Sequence, residues 1–361
     1  MTTTDTMAKK GEGMPLAWWV VLAVLGLAGL AAWAVQLTQG MGVTGLNQQI
    51  VWGLYIAGFF TAAGGGAGLL ALVGLSEFRA LVPKEARPKL LSLSLAGFVT
   101  AGVLILMDVG VPLRAWRLVT SFHFDAIELL DFWLLAISVV VTLIYLWRVR
   151  KGAGTNGGLG ALGVVAAVAL VVVESLMLAS LAARPMWGSL MVISFLVSAA
   201  IAGTALALIV LPGEAGTKVI GKVLLAGLGI SLVLVIVEVI TGLVSGNPRF
   251  NEEIFSMLAG AASPFFWVYV VVGLLLPLYL LWSASKVRAW VIGALVLVGV
   301  LADKLWILVA GQEKPWLAMP AAGYFPTWVE FVALIGVVAI GALAYMVLLH
   351  LFQPTKVAAS E

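Results

Sequence analysis

The sequence predicts an all-α integral membrane protein of about ten transmembrane helices, arranged as two parallel-related four-helix bundles with a flanking first and last helix. Three observations carry that reading. Of the 361 residues, 63% are hydrophobic and 10% charged, with a mean hydropathy of +1.14, whereas soluble domains carry about 25% charged residues. Apolar runs of about 20 residues, the length that crosses a bilayer as a helix, follow one another along the whole chain. Small-residue motifs and buried acids recur at a nearly constant offset.

In chain order, the runs fall at 16–37, 51–76, 89–109, 127–147, 158–181, 187–211, 219–244, 263–283, 288–310 and 326–352. The start, MTTTDTMAKKGEGMP, is polar and no small-residue cleavage site follows, so the first run reads as a retained span. The tightest connection is Ala183-Arg184-Pro185; the longest polar interruption is SGNPRFNEEIFSMLAGAA at 245–262. The predicted organisation is a cytoplasmic N-terminal tail at 1–15, the first helix and an outer loop at 16–50, one four-helix bundle at 51–186, a second at 187–325, and the final helix with a cytoplasmic tail at 326–361.

Orientation follows from the bias of lysine and arginine toward cytoplasmic loops. With the N-terminus inside, 14 of the 20 basic residues lie in the tails and inner loops, and six (Arg114, Arg117, Arg184, Arg249, Lys304, Lys314) lie toward the outer side. Both termini are therefore expected in the cytoplasm, in a multi-pass protein of the cell's inner (cytoplasmic) membrane. The segment LILMDVGVPLRAWR at 104–117 then forms an outer lip.

The acids gather on that side. Asp108 closes the third run, Glu128 and Asp131 open the fourth, Glu174, Glu238 and Asp303 lie inside the fifth, seventh and ninth, and Glu330 opens the tenth. Each intramembrane charge costs roughly 2.5–3.5 kcal/mol on insertion scales and tends to face a cavity or partner. Several at one depth, with Lys304 near, predict an outward-opening polar pocket. Helix-end carboxylates paired with interfacial arginines are the plainer alternative, which suits Glu128 and Asp131 better than Glu174 or Glu238.

The repeat links FTAAGGGAG (Phe60 to Gly68) with FLVSAAIAG (Phe195 to Gly203), Asp108 with Glu238, and Glu174 with Asp303. Runs two to five would thus repeat, in the same orientation, as runs six to nine, with sites expected at the repeat interface. GGGAGLL in the second run follows no strand and lacks a lysine, so close helix packing explains it better than phosphate binding.

The chain has no cysteine and two histidines, His123 and His350, on opposite faces. It can carry no iron–sulfur cluster of its own, two-histidine haem ligation is excluded, and no metal site is expected. Trp52, Trp116, Trp187, Trp306, Trp316 and Trp328 read as an aromatic belt at the outer boundary.

VWGLYIAGFFTAAGGGAGLLAL, MDVGVPLRAWRLVTSF, LAARPMWGSLMVISFLVSAAIAGTALAL and YFPTWVEF resemble, in this order, the second span, outer loop, Arg-Pro-x-Trp junction with its helix, and last span of the NrfD / polysulfide-reductase membrane-subunit family in its ten-span form. The resemblance implies a subunit that exchanges electrons with quinone (menaquinone or another) near the outer face. It implies a periplasmic iron–sulfur partner carrying 4Fe-4S clusters and a molybdenum or tungsten bis-pterin (molybdopterin) catalytic partner, with membrane lipid around and no nucleic acid. Polar residues that such subunits carry early in the second span fall here at Ile56 and Phe59, and the arginine often found before the outer-loop proline is Val111.

The functional expectation is a quinol-oxidising anchor of a respiratory complex, itself not catalytic for the terminal substrate. Glu174 and Asp108 are the expected proton acceptors, because a desolvated carboxylate can act as a general base. Tyr55, Trp116, Arg114, His123, Glu238 and Asp303 are expected to line the quinone site, and Arg117 and Arg184 to dock a partner. A proton- or ion-translocating subunit is the competing class; it would need a polar route through the inner half, where Ser92, Ser94 and Thr100 are the available groups.

Overall fold

The computed structural model describes residues 15–352, apart from 122, 124, 153–155, 182, 189, 212–213, 284–286 and 315–321, and describes 214–217 by backbone alone. Ten helices long and apolar enough to cross a membrane follow in sequence, and no strand occurs among the described residues. They are α1 (Leu16–Gln39), α2 (Leu54–Leu75), α3 (Arg87–Asp108), α4 (Ile127–Arg150), α5 (Gly157–Ala179), α6 (Leu190–Val210), α7 (Glu214–Val244), α8 (Ser263–Trp282), α9 (Ala289–Glu313) and α10 (Trp328–Leu351).

Helix starts follow local chemistry. Asn156 caps α5 by accepting from Leu159 N at 2.9 Å, and Thr327 with Glu330 forms a capping box on α10, each satisfying backbone donors that a helix leaves open. Pro88 sits in the first turn of α3, where its missing N–H costs nothing. In α8, eight residues, Val268–Leu275, widen to π spacing just before Pro277, whose ring removes a backbone donor.

Two four-helix groups have matching neighbours. In the first, α2 packs on α3 and α5, and α4 closes against both; in the second, α6 packs on α7 and α9, and α8 closes against both. Between the groups α2 lies on α6, while α5 touches α6 and α9 touches α2. The repeated motifs meet themselves at this seam. The Phe60 and Phe195 rings cross at 78° with centroids 5.2 Å apart, and a Cβ on Gly203 would lie 2.7 Å from Gly68 Cα. Contact between equivalent positions is what a two-fold relation produces. Helices α1 and α10 pair outside, with α10 seated on α3, and Gly29 backs onto Gly336.

The surface of α1 and α7 is apolar and open, with Val24, Leu27, Val233 and Ile240 among the exposed side chains, as lipid contact demands. At the end of α2 opposite Asp108, Glu77 pairs with Arg87 (2.8 Å), and accepts from Tyr145 Oη (2.5 Å) and Asn156 N (3.2 Å), knotting α2–α5 together.

Two expectations change. The interruption at 245–262 contains a helix, Pro248–Ala259, capped by Asn247 and burying Glu253, Ile254 and Met257. Trp187 and Trp306 are core residues, 2% and 1% exposed, whereas Trp116 and Trp328 are open as belt residues would be; Trp316 lies outside the described residues.

Candidate functional site: a rim cluster and an interior row

The acids divide into two places on either side of α2. Tyr55 and Phe60 on that helix are five residues apart, which turns them about 140° and separates them by about 7.5 Å along the axis. Tyr55 faces the first site; Phe60 lines the second.

The rim site lies where α1, α2, α3 and α10 converge at the Asp108 end. Tyr55 Oη donates to Gln36 Oε1 at 2.8 Å, and Gln36 Nε2 donates to Met107 O at 2.7 Å; Tyr55 and Gln36 are fully enclosed. Asp108, next in the chain, is half-buried, and its Oδ1 is shielded from solvent with no hydrogen-bond partner. Glu330 is within electrostatic reach, but its oxygens are used: they accept from Tyr324 Oη (2.5 Å), Gly45 N (2.7 Å) and Thr327 N (2.9 Å). Burial, then the Glu330 charge, holds the Tyr324 phenol far above its usual range, so Tyr324 stays a donor to Glu330 while accepting from Leu54 N at 2.8 Å. Glu330 is thus a brace, and Asp108 is the group left with capacity.

The interior row runs through the bundle. Lys304 on α9 is 2% exposed; its Nζ lies 3.2 Å from Asp303 Oδ2 and 3.6 Å from the centroid of the Phe195 ring. Glu174 on α5 is completely buried with neither oxygen hydrogen-bonded, and its electrostatic neighbours are Asp131 on α4 and Lys304. It shares a tight space with Phe60, Phe195, Ser198 and Lys304. On the other side of Asp303, a void of about 10 Å³ is lined by Ser231, Glu238, Tyr269 and Trp306; a second of the same size joins Ser198, Ser231 and Tyr269. Each is near the size that holds one water among polar partners. Ser231 and Tyr269 hydroxyls bond at 2.7 Å. The sequence Asp131–Glu174–Lys304–Asp303–Tyr269–Glu238 is therefore a lateral polar row across both four-helix groups.

Residues expected in one pocket fall as follows. Asp108 and Tyr55 come together at the rim; Glu174, Asp303 and Glu238 come together in the row. Arg114, Trp116, Arg117 and His123 are on the loop after α3. There Leu113, Trp116 and Val119 form an open apolar edge beside Arg114 and Arg117, with Arg117 Cζ 6.0 Å from the Trp116 ring. Arg184 is half-buried and turned into the chain: it donates to Lys314 O at 3.1 Å. Near it Glu253 accepts from Met186 N at 2.9 Å, Arg249 also reaches Lys314 O, and Ser256 donates to Glu313. Arg184 therefore ties the α5–α6 loop to the end of α9, and Arg249, Glu253 and Ser256 tie the Pro248–Ala259 cap to the same place.

Sequence reading missed Gln36, Gln312 and Tyr269. Gln312 holds the α2 entrance by accepting from Val51 N and Trp52 N and donating to Trp52 O, at 3.0–3.2 Å. Attention to charge alone passes over amides; a glutamine in an otherwise apolar run is the available signal.

Among the described residues no group of histidines and acids could hold a metal ion. Fold and sites together define a multi-pass helical membrane protein with a polar rim at one end of the bundle and a buried ionic row below it. The chain belongs to the family described as "Polysulphide reductase, NrfD", which matches residues 42–315, in agreement with the resemblance of its motifs. It is 28% identical, over 91% of its length and 89% of the relative's, to a putative dimethyl sulfoxide reductase membrane subunit of Halobacterium salinarum (strain ATCC 700922 / JCM 11081 / NRC-1).

Proposed function

We propose that this chain is the quinone-interacting membrane anchor of a respiratory reductase complex and that quinol is oxidised at the Asp108 rim. The carrying observation is the shielded, unpartnered Asp108 Oδ1 beside the Tyr55–Gln36 pair. A quinol releases two protons and two electrons on oxidation, and the site needs a group to take a proton. Asp108 is that acceptor; Tyr55 and Gln36, which give their protons to Gln36 Oε1 and Met107 O, hold the end of α3 that carries it. Menaquinone or another quinone fits alike, since in each the proton leaves a ring hydroxyl.

Glu174 has no space beside it the size of an aromatic ring, so its expected role becomes holding a proton behind the ring, in company with Asp303 and Glu238. Electrons leave toward a periplasmic iron–sulfur subunit docked over Trp116, Arg114 and Arg117, with His123 on the same loop; a molybdenum or tungsten bis-pterin subunit completes the complex. This reading sets the rim outward and both termini in the cytoplasm, and divides the bundle at 186/187 into two parallel four-helix units. The relative's name, a reductase membrane subunit, supports the assignment.

The interior row favours one second reading, a proton- or ion-translocating subunit. The row stays toward the Asp108 end, however, and toward the Glu77 end Ser94, Thr100 and Thr142 give their hydroxyls to backbone carbonyls, while the buried Ser92 and Ser138 hydroxyls have no partner. Quinol-dependent turnover of the intact complex decides: Asp108→Asn should cut it about 10²-fold or more, the scale of a lost general base, with assembly retained. Unchanged turnover in both Asp108→Asn and Glu174→Gln would remove quinol oxidation from this chain.

A further inference from the structure

We propose that an apolar groove between α5 and α7 holds one acyl chain of an anionic phospholipid, in the leaflet at the Glu77 end. The proposal rests on the membrane fold alone and is independent of the quinone reading. The groove has a volume of about 200 Å³; its floor is Ala67, Ala71 and Leu75 of α2 with Ala200 of α6, and its walls are Ala167 of α5 and Val223 of α7. The one polar lining residue is Thr204, and its hydroxyl is spent on Ala200 O at 2.8 Å. Such a lining offers water nothing, and dry apolar space of this size accepts hydrocarbon. From Ala67 to Leu75 the floor runs about 12 Å along α2, most of the roughly 15 Å depth of one leaflet's hydrocarbon.

Across the two-fold seam the equivalent place is filled. The position 135 residues after Ala71 is Leu206, and the position 135 before Ala200 is Gly65. There the leucine fills the gap: its Cδ1 lies 2.9 Å from where a Cβ on Gly65 would stand. In the groove the corresponding pair, Ala71 and Ala200, leaves the slot open. The mouth of the groove carries basic residues: exposed Lys222 precedes Val223 on α7, and exposed Arg79 is two residues from Leu81, which lines the groove's end. The nearby Glu77 is occupied by Arg87. Lysines at a helix end extend to the headgroup level, so a phosphate there meets positive charge while its chain stands in the slot.

The test uses the full chain in nanodiscs of equal parts phosphatidylglycerol and phosphatidylcholine, followed by native mass spectrometry. One phosphatidylglycerol should stay bound. Ala71→Leu, which copies the closed side, should lose it, and Lys222→Gln should lower the preference for phosphatidylglycerol about fivefold. Ala200→Leu provides a second closure should Ala71→Leu fail to give helical protein by circular dichroism. No retained phospholipid, equal retention of both lipids, a quinone in its place, or undiminished retention in the closed variants would each overturn the proposal.

Discussion

Lys304 Nζ lies 3.6 Å above the Phe195 ring while forming an ion pair at 3.2 Å with the carboxylate of its own neighbour, Asp303. Adjacent residues on a helix point about 100° apart, so the lysine must fold back to reach Asp303, and the aromatic face holds it there. In hydrocarbon this cation offsets the acids of both four-helix groups. Removing one partner of a buried pair strands the other, at a cost of about 3–5 kcal/mol. Lys304→Met should therefore lower the unfolding temperature sharply in detergent, and Lys304→Met with Asp303→Asn should recover much of the loss. Equal stability of Lys304→Met and the parent would mean that the row is not ionised.

The seam gives a sharper steric prediction. Gly203 backs directly onto Gly68, and a Cβ there meets backbone that cannot swing aside. Overpacking of this kind costs about 1–3 kcal/mol, so Gly203→Ala should be destabilised by that order in thermal unfolding. Gly64→Ala, whose Cβ would find Ala199 at an ordinary 3.6 Å, should be close to neutral.

Glu253 predicts a pH dependence outside the membrane. Burial raises its carboxyl from 4.5 to about 7, against the lowering effects of the Met186 N–H, Arg249 and Arg184. The folded cap keeps a proton that the unfolded cap releases, so its stability falls as pH rises from about 4.5 to about 7 and is level above. Hydrogen exchange of amides 248–259, corrected for intrinsic rates, should show protection declining over that window. Glu253→Gln keeps an acceptor for Met186 N and should flatten the profile.

The loop after α3 should carry the docking surface. Trp116 is 60% and Leu113 87% exposed, beside two arginines, the mixture of aromatic anchor and charge that interfaces favour. Trp116→Ala with Arg117→Glu should reduce co-purification of the partner subunits at least tenfold and leave thermal unfolding of this chain unchanged. Retained complex would place docking elsewhere.

Much of this architecture is readable from composition because a bilayer tolerates few solutions. Backbone groups without water must bond internally, so each apolar run becomes a helix, and the ten expected spans match the ten observed to within a few residues. Even the seam is foreshadowed: Phe60 and Gly68 pair by motif with Phe195 and Gly203, and these are the residues that touch. In the 245–262 segment, charge masks an amphipathic helix whose Asn-Pro start is the better signal.

The solvent of this protein, the number of its spanning helices and the end at which its acids gather were already written in the linear chain, since length and hydropathy belong to each segment alone. Which acids share a site was settled by packing. That depends on how each helix is rotated and on α2 standing between Asp108 and Glu174, and rotation is set by neighbours that lie far away along the chain. The same packing made Trp187 and Trp306 core, turned Arg184 inward, and gave Gln36 and Gln312 their partners.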